Sequence, residues 1–136
     1  MLVNHHAALI YTMVLVSAAD RNMTDAELQT IGEIVRHLPV FQDFDVEELA
    51  KIASSCVDLV NADDGLEKTL ERIHKALPPH LCETAYALAC DVAVSDARQP
   101  SQEVLRLLEL VRHRLGVERL VAAAIERGAR ARYSKL

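Results

Sequence analysis

Displaced by 76 positions, the chain matches itself. Asp20 falls on Asp96, Glu27 on Glu103, Glu33 on Glu109, and Ile34-Val35-Arg36-His37 on Leu110-Val111-Arg112-His113. The apolar positions agree as well, with Val16, Leu28 and Ile31 on Val92, Val104 and Leu107. Each half thus carries an apolar helix, an acidic turn and an amphipathic helix. Two copies do not make a solenoid. They predict one pseudo-two-fold helical bundle over residues 1–136, with the repeat at about 4–38 and 80–114 and bridging helices at about 45–77. The first and fifth helices are expected at its centre, flanked by the second and sixth.

Val, Ile and Thr never alternate with polar residues over a strand's length, so the fold class read from the pattern is all-α with seven helices. The first, from about Asn4 to Ala19, is apolar nearly all round, which marks a buried helix, and Asn4 is its N-cap candidate. The second opens on Thr24-Asp25-Ala26-Glu27, a capping box, and runs to about His37 with Leu28, Ile31, Ile34, Val35 and Leu38 inward. A third starts at the Asp45-Val46-Glu47-Glu48 box and buries Leu49, Ile52, Cys56 and Leu59; a fourth covers about Gly65 to Leu77 through Leu66, Leu70 and Ile73. The fifth, about Pro79 to Ser95, repeats the first. The sixth follows Pro100 and ends at Gly116, and the last, about Val117 to Arg132, buries Leu120, Val121, Ala124 and Ile125.

Composition closes several functional classes. A net charge of −5 argues against a phosphate-backbone binder, which needs clustered Lys and Arg, so nucleic acid is not an expected partner. The longest uncharged stretch, Ala7 to Ala19, is too short for a spanning helix, so no direct membrane insertion is expected. No Lys or Arg precedes that stretch and Ser17-Ala18-Ala19-Asp20 is a poor cleavage site, so the expected location is cytoplasmic. Cys56, Cys82 and Cys90 are odd in number and form no C-x-x-C pair, which fits reduced, packed thiols.

Catalysis finds no motif. G-x-S-x-G, G-x-x-x-x-G-K and H-E-x-x-H are all missing, and no Gly-rich loop could cradle phosphate, so no enzyme is expected. A thiol-dependent detoxifier would need a reactive cysteine, whereas helical cysteines amid Leu and Ala are usually inert. Among His5, His6, His37, His74, His80 and His113, no pair has the helical spacing that would aim two imidazoles at zinc.

Met13-Val14-Leu15-Val16-Ser17-Ala18-Ala19-Asp20 with Thr24 and Glu27, and Ala89-Cys90-Asp91-Val92-Ala93-Val94-Ser95-Asp96 with Glu103, carry a family likeness. The chain resembles the tellurite-resistance TerB-like proteins. It is similar to them in its helix count, its two-fold repeat and a doubled A-x-D-G-x-x-S-x-x-E pattern, over nearly the whole length. The resemblance implies a non-enzymatic domain of the tellurite-resistance and stress-response type. It also implies an acidic surface proposed to bind divalent metal, and membrane-associated protein partners. The glycine that pattern has after each Asp is Arg21 in one copy and Ala97 in the other, with Arg98 beside it. Glycine would allow φ > 0 or close approach to an ion, and an adjacent arginine repels cations.

The candidate metal ligands are therefore Asp20, Glu27, Asp96 and Glu103, for Ca²⁺, Mg²⁺ or Mn²⁺, because hard cations take several oxygens from turns and helix starts. A second reading stays open: these residues are helix caps, and the chain is a protein-interaction or scaffold domain without a metal. Residues Asp43 to Glu71 hold nine carboxylates against Lys51 and Lys68, a face suited to a basic protein partner or simply to solvent.

Overall fold

The structure, a computed structural model, describes residues 4–19, 25–95 and 100–136. Among them are seven α-helices: α1 (His5–Ala18), α2 (Asp25–His37), α3 (Leu49–Val60), α4 (Gly65–Ala76), α5 (Cys82–Val94), α6 (Gln102–Leu115) and α7 (Arg119–Arg132). Short 3₁₀ turns occupy Pro39–Phe41, Val46–Glu48 and Pro79–Leu81, and the described residues contain no strand. None of these helices is long and apolar enough to cross a membrane.

α1 and α5 form the centre. Every residue of α1 from Ala8 to Ser17 is buried, which is what a helix apolar on all faces requires. Each fully buried Leu, Ile, Met or Val there contributes about 1.5–3 kcal/mol of transfer free energy. Asn4 caps the helix as its side-chain oxygen accepts from the Ala7 amide at 2.8 Å. Thr12 and Ser17 add hydroxyls to this interior: Thr12 donates to the Ala8 carbonyl at 2.8 Å, and Ser17 Oγ has no hydrogen-bond partner among the described residues. α5 buries Ala85, Tyr86, Leu88, Ala89, Cys90 and Val92 in the same way.

The repeat is visible in the helix spans. Shifting α1 by 76 gives 81–94 against the observed 82–94, and shifting α2 gives 101–113 against 102–115. It also reaches the third helix: α3 shifted gives 125–136, overlapping α7, and α3 packs on α1 as α7 packs on α5. α3 thus packs beside α1 as α7 does beside α5, although α7 starts at 119 and not at 125, and α4 is the one of the two middle helices whose packing extends to α6. That helix packs on α1 and α3 and also touches α6, where Arg114 reaches Glu67 at 2.5 Å.

The buried stripes differ at helix ends. Leu28 is 49% exposed and Leu66 37%, so the inward faces of α2 and α4 begin later, at Ile31 and Thr69. In α7 the stripe is rotated: Leu120 is 78% exposed and Ala124 is exposed, while Ala122 and Ala129 are buried. The small Ala122 and Ala129 let α7 approach α5 closely, and that contact sets the rotation.

Turn chemistry places the remaining elements. Asp45 accepts from the Glu47 amide at 3.0 Å, but the turn it caps is 3₁₀ and α3 starts only at Leu49. Between α3 and α4, Asp64 takes φ 54°, and Gly65 lies so close to the end of α3 that an added Cβ would sit 2.1 Å from the Val60 carbonyl oxygen. Gly116 closes α6 at φ 68°, the left-handed cap that glycine takes without penalty.

Candidate functional site

Two places carry polar groups that packing alone does not use. The first is the pair of acidic turns. Asp20 and Asp96, with Thr24, lie outside the described residues. Glu27 sits half-buried in the first turn of α2, and Glu103 sits exposed in the first turn of α6. The second copy has its own cap, one residue later than the first-copy Thr24 predicts: Ser101 Oγ accepts from the Val104 amide at 3.2 Å. Glu103 is therefore the second residue of α6, outside the reciprocal position of a capping box. The described part of the first turn supplies Asp25 and Glu27 and that of the second supplies Glu103, and no group of three metal-binding side chains occurs among the described residues. The other oxygens that a hard cation needs would come from 20–24 and 96–99.

Two of the histidines have structural partners. His6 donates to the Val40 carbonyl at 2.9 Å and stacks on Phe41, tying the start of α1 to the turn after α2. His37 bonds the Glu33 carbonyl at the end of α2.

The second place is an open cleft of about 770 Å³ between α5, α6 and α7. Tyr86, Cys90 and Val94 line it from α5, Leu105, Leu108 and Glu109 from α6, and Glu126, Ala129, Arg130 and Tyr133 from the α7 side. Tyr86 is almost wholly buried, and its hydroxyl donates to Glu126 Oε2 at 2.5 Å. Burial, and then this bond to a carboxylate, push the Tyr86 phenol well above its ordinary value. Burial likewise pushes the Cys90 thiol up to about 12, so it is a protonated thiol at neutral pH and a poor nucleophile. Glu109 pairs with Arg112 at 2.7 Å, and Arg112 also donates to the Val117 carbonyl at 3.0 Å.

The sequence marks Cys90, Val94 and Glu109 only as motif or repeat residues, and nothing in it joins them into a cleft. Glu126 was the available signal: a carboxylate between Ala122 and Ala129 on the buried stripe of α7, where an apolar residue is the default. The phenol that satisfies it is 40 residues away, and no spacing rule connects them.

The fold defines an all-α bundle, with seven α-helices among the described residues. No family model, curated protein or solved structure matches the chain.

Proposed function

We propose that this chain is a non-enzymatic, cytoplasmic binding module of the TerB-like, tellurite-resistance and stress-response type, whose acidic inter-helix turns hold a divalent cation. The observation that supports it is the equivalence of the α1–α2 and α5–α6 hairpins, which puts Glu27 and Glu103 in matching first turns. Helix N-termini favour anionic side chains, and two such turns are the natural places for oxygen ligands. A thermal-shift series with Ca²⁺, Mg²⁺ and Mn²⁺ tests it, since a ligand of the folded form raises the melting temperature. A rise with one ion, lost in the double variant Asp20→Asn with Asp96→Asn, is expected. No rise with any ion would overturn the cation.

A second reading, a protein-interaction domain without metal, is favoured by the acidic outer surface. All nine carboxylates from Asp43 to Glu71 are exposed. Glu67 and Glu71 are engaged with Arg114 and Lys75, which leaves Glu47 and Glu48 as the clean probes. Reversing both to Lys is expected to abolish capture of a basic partner, membrane-associated partners included. Unchanged capture would dismiss that face.

A further inference from the structure

We propose that the cleft between α5, α6 and α7 binds the monoanion of an unbranched long-chain carboxylic acid, chain on the apolar floor and head group at the α7 rim. Its volume of about 770 Å³ lies within the range of small-molecule sites. Tyr86, Cys90 and Val94 recur every fourth residue along α5, a stripe of about 12 Å that suits an extended chain better than a compact polar solute. Leu105, 50% exposed on α6, leaves apolar surface uncovered at the cleft wall beside the buried Leu108.

Charge selects the head group. Both acids in the cleft are already engaged, Glu109 with Arg112 and Glu126 with the Tyr86 hydroxyl. Asp91, the neighbouring acid next to Cys90 on α5, is engaged as well, with Arg132 at 2.5 Å. Arg130 and Lys135 line the rim, and neither has an ion-pair partner among the described residues. Arg112, which does not itself line the cleft, offsets Glu109, and the rim cations Arg130 and Lys135 then outnumber the remaining acid, Glu126, so the unused electrostatic capacity of the site is positive. A carboxylate meets it, whereas a cationic head group would meet Arg130 and Lys135.

The test uses the full chain with dodecanoate below its micelle concentration, followed by calorimetry and by amide NMR shifts, in EDTA so that no divalent cation contributes. Saturable binding of one equivalent is expected, with shifts centred on Tyr86, Leu105 and Tyr133. The exposed double variant Arg130→Glu with Lys135→Glu is expected to weaken it about tenfold, and Leu105→Asp comparably, with melting temperatures unchanged. Dodecyltrimethylammonium is expected to bind more weakly than dodecanoate. No saturable binding, equal binding of the cationic chain, indifference to both variants, or occupation of the cleft by an acidic amphipathic peptide but not by dodecanoate would each overturn the proposal. Retention of binding in Asp20→Asn with Asp96→Asn separates it from any failure of the cation reading.

Discussion

The Tyr86 hydroxyl on α5 and the Glu126 carboxylate on α7 meet at 2.5 Å at the floor of the cleft, and with the Asp91–Arg132 pair they tie the central helix of the second half to its last helix. A hydrogen bond to a charged group outweighs a neutral one, so Tyr86→Phe is expected to lower stability by about 1–2 kcal/mol in urea unfolding. Glu126→Gln keeps an acceptor for the phenol and should cost less. A Tyr86→Phe chain as stable as the parent would show the contact contributes nothing.

Alkaline pH should unfold the protein through its buried thiols. Cys56 and Cys90 are pushed from 9.0 to about 12 by burial, so the unfolded chain loses these protons first as pH rises. The folded state then holds more protons than the unfolded one. Stability is therefore full below pH 9 and falls between about 9 and 12, by about 1.4 kcal/mol per pH unit for each thiol. The slope of unfolding free energy against pH, compared between the parent and Cys56→Ala, checks this. An unchanged slope would contradict it.

Labelling kinetics should rank the thiols. Cys82 is half-buried, and its thiol is raised by burial and by Glu83, while Cys56 and Cys90 are buried. Cys82 is expected to react first and slowly with a thiol reagent at neutral pH, and the other two only on unfolding. Fast labelling of Cys90 would revive a thiol chemistry in the cleft.

Two glycines should respond very differently to alanine. A Cβ at Gly65 would lie 2.1 Å from the Val60 carbonyl and 2.5 Å from that of Leu59, both rigid backbone atoms. Gly65→Ala is expected to cost about 3 kcal/mol or more. Gly116 has open space around it and only the left-handed backbone to lose, so Gly116→Ala should cost about 1 kcal/mol. Equal melting shifts would refute the close α3–α4 approach.

Ser17→Ala should stabilise the protein. The Ser17 hydroxyl is buried at the end of α1 without a partner among the described residues, and its repeat-matched position on α5 is already Ala93. Removing an unsatisfied buried hydroxyl is expected to raise the unfolding free energy by about 1 kcal/mol. A loss instead would mean the hydroxyl has a partner in the folded chain.

How much of this was legible in the residues can be judged element by element. The apolar circumference of Ala8 to Ser17 names a central helix without further information, because a helix apolar on every face has nowhere else to go. Asn4 and Gly116 announce the ends they cap, since capping depends on a side chain and the backbone within three or four residues. Leu120 and Ala124 misled: α7 is amphipathic enough for more than one rotation, and its close packing on α5 through Ala122 and Ala129 selects another. Of the candidate ligands, Glu27 and Glu103 are readable as first-turn acids, while the Ser101 cap is hidden because the residue 76 positions after Thr24 is Pro100.

The chain by itself determined the helices, their order, the doubling of the unit and the burial of α1 and α5, because those properties depend on local periodicity and on the identity of neighbours in sequence. Tertiary structure alone decided that α3 belongs with α1 as α7 does with α5, that α4 spans the halves through Glu67 and Arg114, and that Tyr86 meets Glu126 over an open cleft. Those contacts join residues 40 or more positions apart. Their energy exists only once the helices have packed, and no periodicity encodes the angle at which they do.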